Sequence, residues 1–219
     1  VSDMAVQAMP AKYEYMLKSE VKTKNKEAEA LAVSSFKTHS NGYLPESVSV
    51  YGISQDSRYF KENFPKEGVY ISSGYSEKYQ LSVGDTVTIK KPYTSILYEL
   101  EVAGIHEAPT SIDIYMSKDY YCDLFDEEDD YYNAYLSNVP LDDLAPDKIY
   151  STITQADITK MSDQLMVSMG GIFHLVNIFA IALFLLVVYL LTKLILEKNA
   201  LSISLCKILG YSSPEIGGL

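Results

Sequence analysis

Apolar and polar residues alternate in several short runs of this chain, and each such run predicts a β-strand. The runs are 47–53 (SVSVYGI), 68–73 (GVYISS), 83–91 (VGDTVTIKK), 96–107 (ILYELEVAGIHE) and 112–117 (IDIYMS). The third and fourth are joined at the turn sequence PYTS. Elsewhere the apolar spacing is helical. Residues 25–39 (NKEAEALAVSSFKTH) place Ala28, Leu31, Ala32, Ser35 and Phe36 on one face, with Asn25 as the cap, and so predict a helix. Short helices are predicted over 76–81 (SEKYQL) and over 117–125 (SKDYYCDLF), the second capped by Ser117. The fold class expected for this part is α+β.

The pattern changes after residue 154. From Gln164 to Thr192 there is no Asp, Glu, Lys or Arg, and Ile172–Leu191 reads IFHLVNIFAIALFLLVVYLL. About 20 such residues in a helix span the hydrocarbon core of a bilayer, so this stretch is expected to cross a membrane. Thr154–Asp157 (TQAD) fits a capping-box-like start. One helix is therefore expected from about 155 to 197, roughly 60 Å long at 1.5 Å per residue. The excess over the membrane would stand outside as a stalk, with Gly170 and Gly171 as its weak point. His174 and Asn177, one turn apart, would lie near the outer end of the span, facing a neighbouring helix or the headgroups. Lys193, Lys198 and Lys207 follow the span and Asp157 and Asp163 precede it. The positive-inside rule then puts the C-terminal end in the cytoplasm and residues 1–163 outside the cell. Beyond the span, Leu201, Leu205, Ile208 and Leu209 form one apolar face of a short amphipathic helix ending at Gly210. The expected organisation is an outer domain over 1–153, a stalk and span over 154–197, and a cytoplasmic segment over 198–219. The chain begins at Val1 and reads as a piece of a longer protein.

Charge sharpens this division. The formal net charge is −11. Residues 1–168 hold 27 acidic against 15 basic side chains, a balance of −12, while residues 169–219 carry +1. An acidic outer part argues against nucleic acid, whose phosphates require a positive surface. The two cysteines, Cys122 and Cys206, flank the apolar stretch, so a membrane between them would forbid their pairing. No GxSxG, HExxH, CxxC or P-loop occurs. The histidines, at 39, 106 and 174, are scattered. The acidic run 126–130 (DEEDD) lacks the spacing of a calcium loop and reads as a solvated turn. The chain is thus not expected to be an enzyme, nor to hold a metal or cofactor. Tyrosine is abundant, 19 residues, and clustered. Tyr115, Tyr120, Tyr121, Tyr131, Tyr132 and Tyr135 make 115–135 a candidate outer interface; ordinary β-structure is the competing role for them.

Two stretches resemble the FtsX/MacB-like permeases of ABC transporters. The first is GVYISSGYSEKYQLSVGDTVTIK, followed by YELEVAGIHEAPTSIDIYMSKDYY. The family's outer core domain has a strand, a short helix ending in l-x-V-G-D-x-v-x-l, then a strand ending in V-x-G-I. Leu81, Val83, Gly84, Asp85, Val87 and Ile89 match the former, and Val102, Gly104 and Ile105 the latter. Gly84-Asp85 makes the turn into a strand, and Gly104 permits a bend or bulge. The second stretch, ILEKNALSISLCKILGYSSPEI, is similar to the family's cytoplasmic segment behind its second span, through Lys207, Leu209, Gly210 and Tyr211. Ser213-Pro214-Glu215 there suits the opening of another helix. MPAKYEYMLK, near the N-terminus, looks like the long FtsX-like permeases of Gram-positive bacteria.

The resemblance implies a small β-barrel-like part in the outer domain and a permease subunit in the cell membrane of a Gram-positive bacterium. It implies an ABC ATPase partner that binds ATP, and a homodimer or a pairing with another permease half. ATP hydrolysis would move the outer domain through the stalk, for export or mechanotransmission of a lipoprotein, lipid or peptide. The ATPase-coupling candidates are Lys198, Leu201, Leu205, Lys207, Ile208, Leu209, Gly210 and Tyr211. Many members read R-E-I-G-I where this chain has Leu201–Leu205, with Ser202 and Ser204 in place of the acidic residue and the glycine. An ion pair to the ATPase is therefore not carried over to those positions. The competing reading is a membrane-anchored extracellular binding or sensor domain without an ATPase.

Overall fold

The computed structural model describes residues 9–40 and 42–209. The elements in chain order are β1 (Tyr13–Leu17), β2 (Glu29–Thr38), β3 (Ser47–Ile53), β4 (Val69–Ser72), α1 (Ser73–Tyr79), β5 (Thr86–Lys90), β6 (Leu97–His106), β7 (Asp113–Ser117), α2 (Lys118–Phe125), β8 (Ala134–Ser137), a 3-10 turn (Pro146–Lys148), β9 (Ile149–Thr154) and α3 (Gln155–Ile208). The contacts divide the chain into two units, Val1–Asp163 and Gln164–Leu219.

In the first unit the strands follow the order β3-β7-β4-β6-β5-β2-β8-β1-β9, and β2 also pairs with β3. Six strands therefore pair in a closed circuit, which is the barrel-like part of an α+β fold. Alternation explains its interior. Val48 and Val50 of β3, Val69 and Ile71 of β4, Val87 and Ile89 of β5, Leu100 and Val102 of β6, and Ile114 and Met116 of β7 all point to one buried cluster. Tyr75 and Tyr79 of α1 and Tyr121 and Cys122 of α2 close that cluster. Serine caps both helices: Ser72 Oγ accepts from Tyr75 N–H, and Ser117 Oγ, the expected cap, from Tyr120 N–H. α1 starts at Ser73, ahead of the expected 76–81.

Gly104 sits where the pairing of β4 with β6 shifts register between Val69 and Tyr70. A Cβ on Gly104 would lie 2.6 Å from the Tyr70 ring. The glycine thus serves the irregularity expected of it and also makes room for an aromatic ring. Gly84, at φ +94°, makes the turn before β5.

Where a helix is expected over 25–39, the chain forms the strand Glu29–Thr38 instead. Both faces of β2 are covered: Ala32 and Phe36 enter the barrel-like interior, whereas Leu31 and Val33 enter a second cluster outside it. Burial on both faces erases the period of two and leaves apolar spacings that imitate a helical stripe. Strand pairing with β3, β5 and β8 overrides the helical preference of Glu, Ala and Leu. Asn25 still acts locally, since its Oδ1 accepts from Glu27 N–H, but it shapes a turn leading to β2.

Strands β1, β8 and β9, with the first residues of β2, make the other end of the sheet. Tyr15 and Leu17 face a third cluster with Tyr135, Leu141 and Leu144. Glu14, on the opposite face of β1, is 8% exposed. α3 begins behind the expected cap: Thr154 Oγ1 accepts from Asp157 N–H at 3.1 Å and donates to Asp157 Oδ2 at 2.7 Å.

In the second unit, residues 164–208 are helical throughout, including Gly170 and Gly171. The helix continues past Glu197, its expected end, to Ile208, so 198–208 is a continuation of α3 rather than a separate helix. It is the helix long and apolar enough to cross a membrane among the described residues. Its side chains from Gly171 to Ala200 are all exposed, as a lipid-facing surface requires.

Candidate functional site

The first unit contains a cavity of ≈ 330 Å³ whose lining comes from widely separated parts of the chain. β1 contributes Glu14, β3 Tyr51, the segment before β4 Phe60, and β7 with its approach Ser111, Asp113 and Tyr115. Ile153 of β9, Ile158 of the first turn of α3, and Met9, Pro10 and Thr110 complete the wall.

Each polar group is placed by the ladder it belongs to. Glu14 pairs with Leu136 on one side and Ile153 on the other, which fixes its side chain on the cavity face. Tyr51 and Tyr115 are register partners in the parallel pairing of β3 with β7, and their rings stack at 5.4 Å. The Phe60 ring packs on Tyr115 at 5.6 Å. Asp113 is held at its backbone: its N–H donates to Ser72 Oγ at 3.1 Å, while Ser72 Oγ donates to Ser111 C=O at 2.8 Å. The residue that caps α1 therefore also anchors the start of β7. The Tyr115 hydroxyl donates to Asp113 Oδ2 at 3.3 Å.

Burial sets the electrostatics. It raises the Glu14 carboxyl to about 7, and the Asp113 carboxylate pushes in the same direction. Asp113 is raised as well, again by burial, with hydrogen bonds and the nearby His106 working against the rise. The Tyr51 and Tyr115 hydroxyls are pushed well above their ordinary range, burial again being the largest cause. Among the described residues Glu14 has neither a hydrogen bond from its carboxylate nor a basic partner. Ser111 Oγ is buried and makes no hydrogen bond of ordinary geometry, although it lies close enough to Asp113 and Tyr115 to favour their ionised forms. Behind Tyr115, His106 Nδ1 is 2.7 Å from Glu62 Oε1, and its ring lies 4.7 Å from that of Tyr115. The arrangement holds a proton near neutral pH and offers oxygen acceptors to a cation.

This cavity is not legible as a site in the sequence. Glu14 stands in YEYML, where the alternation with Tyr13 and Tyr15 places it opposite them; a carboxylate at such a position was the available signal. Of the tyrosines expected at an outer interface, Tyr115, Tyr121 and Tyr135 are only 4%, 0% and 6% exposed. Their rings pack inside this chain, because each sits on an inward position of β7, α2 or β8, so they present no outer surface. Tyr120, Tyr131 and Tyr132 are half-buried. All five residues of the acidic run 126–130 are exposed. Cys122 is buried and unpaired.

At the other end, Lys193 and Glu197 form an exposed ion pair at 3.8 Å. Lys198, Leu205, Ile208 and Leu209 of the coupling set are exposed. The side chains of Leu201, Cys206 and Lys207, and all of Gly210, Tyr211 and 213–215, lie outside the described residues.

No family model matches the chain, and no curated protein matches it. Among solved structures it is similar to the periplasmic region of MacB from Actinobacillus actinomycetemcomitans, at 10% identity over 72% of this chain and 95% of that one, with a TM-score of 0.39. It is also similar to the extracellular domain of the noncanonic ABC-type transporter YknZ from Gram-positive bacteria. There the identity is 18% over 59% of this chain and 84% of that one, with a TM-score of 0.37.

Proposed function

We propose that this chain is part of the permease subunit of an FtsX/MacB-type ABC transporter in the cell membrane of a Gram-positive bacterium. A partner ATPase binds and hydrolyses ATP in the cytoplasm, and the permease conveys the resulting helix movement to its extracellular domain, for export or mechanotransmission of a lipoprotein, lipid or peptide. Residues 1–163 are extracellular, the C-terminal end is cytoplasmic, and the subunit works as a homodimer or beside another permease half.

The observation that carries this reading is the continuity of α3. The helix is capped at Thr154, directly after β9, and stays helical through the apolar stretch to Ile208. A helix under load has no loop at the membrane surface in which movement would dissipate. The helix-turn-strand motif at Gly84-Asp85 and the bulge at Gly104 support the same reading, through their match to the family pattern. Leu205, Ile208 and Leu209 are exposed at the far end of α3, where a partner subunit would meet them.

The test is purification of the tagged full-length permease from solubilised membranes, with identification of what accompanies it. A stoichiometric ABC ATPase, cross-linking through Lys198 and Lys207, is the expected result. Its absence, in detergent that keeps a known transporter intact, rejects the proposal. The second reading, an anchored binding or sensor domain, then takes its place; the cavity with its unpartnered Glu14 carboxylate favours it.

A further inference from the structure

The cavity between Glu14 and Asp113 has a construction that the permease reading does not use. Glu14 is more than nine-tenths buried, points into the cavity and has no hydrogen-bond or cationic partner among the described residues. Stable folds rarely leave a buried carboxyl without a hydrogen-bond partner, since a buried polar group with no partner costs free energy whether or not it is ionised. Ser111 Oγ on the same wall is a second buried polar atom without a hydrogen bond of ordinary geometry. Apart from Thr110, the rest of the lining is apolar or aromatic, chiefly the stacked Tyr51 and Tyr115, Phe60, and the isoleucines at 153 and 158. Two independent features, a space of ≈ 330 Å³ and a buried carboxyl facing it without a partner among the described residues, thus point to a missing partner.

The chemistry of the lining selects the partner. Two carboxylates and a hydroxyl accept hydrogen bonds and attract positive charge, and aromatic rings attract cations through their faces. A bare metal ion does not suit the site. No group of three or more His, Cys, Asp or Glu with metal-holding geometry occurs among the described residues. The cavity is also far larger than one ion. Its volume falls at the lower end of organic ligand sites. A phosphate-bearing head group would meet the two carboxylates with like charge.

We infer that this cavity binds an alkylammonium group carried on an apolar stem, such as a lysine side chain of a peptide, with Glu14 and Asp113 as its counter-charges and Tyr51, Phe60 and Tyr115 as the walls around the stem. The site lies wholly within the first unit and does not depend on an ATPase partner.

The ionisation behaviour adds a signature. Burial keeps Glu14 protonated up to about pH 7, so a bound ammonium must displace that proton. The groups facing it are Asp113, Tyr51 and Tyr115, with His106 and Glu62 one layer behind Tyr115. The tyrosines stay protonated throughout the neutral range, and burial raises Asp113 as well as Glu14. Binding therefore strengthens as pH rises from 5.5 to 8 and releases protons to the buffer.

The experiment is isothermal titration of the whole chain, purified in detergent, with N-acetyl-lysine methylamide. The comparison ligands are the uncharged N-acetyl-norleucine methylamide, phosphoethanolamine and calcium chloride. Expected are saturable binding of the lysine compound, at least about tenfold weaker binding of the norleucine compound, and heats that vary with buffer ionisation enthalpy. Glu14→Gln and Asp113→Asn should each weaken lysine binding by about tenfold or more. Glu14→Gln removes only a buried charge, so it should fold, and circular dichroism of the variant confirms this before titration. Equal binding of lysine and norleucine compounds, an unchanged Glu14→Gln, or calcium or phosphoethanolamine taking the site in preference to the lysine compound would each overturn the inference. So would the absence of any saturable heat from the lysine compound at pH 8. Because no ATPase is present, failure here leaves the permease proposal standing, and failure of that proposal leaves this one standing.

Discussion

Asn133 hydrogen-bonds Val33 twice, as a strand residue would. Val33 N–H donates to Asn133 Oδ1 at 2.7 Å, and Asn133 Nδ2 donates to Val33 C=O at 2.7 Å. Asn133 N–H meanwhile donates to Leu31 C=O at 3.2 Å. A side chain thus extends the β8 ladder along β2, at the point where β2 leaves β8 and before β5 takes over at Lys37. This satisfies peptide groups on the long strand shared by both ends of the sheet.

Asn133→Ala removes both bonds and leaves two partly buried peptide groups to find water. The expected loss is about 2–3 kcal/mol, measured by urea denaturation of the outer domain in the detergent-solubilised chain. Asn133→Asp keeps the acceptor for Val33 N–H but sets a carboxylate against Val33 C=O, and should lose no less. A change within about 0.5 kcal/mol for alanine would show that the side chain does not act as a ladder partner.

Glu14→Gln should stabilise the protein at neutral pH and above. A carboxyl whose folded pKa is raised binds more protons in the native state than in the unfolded state. Stability therefore falls as pH climbs from the ordinary glutamate range to about 7, then levels off. The full effect is of order 3 kcal/mol. Asp113 is raised too and contributes in the same direction. Melting temperatures at pH 5 and pH 8 should differ less in the variant than in the native chain; identical pH dependence would remove Glu14 as the cause.

Gly52→Ala should disturb the seat of α2. A Cβ on Gly52 would lie 2.7 Å from both Cβ and Cγ of Tyr121, atoms too near the backbone to swing away. Overpacking of this kind costs about 1–3 kcal/mol. Near-ultraviolet circular dichroism should report loosening of the tyrosine cluster, in which Tyr121 also hydrogen-bonds Ser34. Unchanged stability would mean that α2 shifts without cost.

Thr154→Ala should fray the start of α3. The hydroxyl satisfies Asp157 N–H and is itself fixed by the Asp157 carboxylate. Loss of such a cap costs about 1 kcal/mol. Hydrogen exchange at residues 155–158 should accelerate about fivefold, with the core of the barrel-like part unchanged. Equal exchange rates would show that the helix start is held by β9 alone.

Leu205→Glu with Leu209→Glu tests the cytoplasmic end. Both side chains are exposed. If they dock on a partner ATPase, the double variant should fail to retain it during purification, while the outer domain keeps its melting temperature. Retention equal to the native chain would assign that face to lipid instead.

Much of this molecule follows from its sequence alone. The alternation over 47–53, 83–91, 96–107 and 112–117 specifies strands whose inward residues are the ones buried. Ser117 and Thr154 announce helix starts, and the uncharged run from Gln164 to Thr192 announces a span. These are local signals: a period, a cap or a charge-free length is visible within a few residues of itself. What the tertiary structure decided depends on partners distant in the chain. β2 is a strand because β3, β5 and β8 hydrogen-bond it and both its faces are covered, and no window of its own sequence contains that fact. Short strands such as β1 and β8 are likewise held by pairing rather than by pattern. Tyr115 and Tyr121 are core residues because β7 and α2 turn them inward, although a tyrosine cluster by itself reads equally well as surface. The meeting of Glu14 with Asp113 is the furthest from sequence, since it requires β1 and β7, each in correct register, to face one cavity. Register fixes which face a side chain occupies, and register is set between strands, not within one.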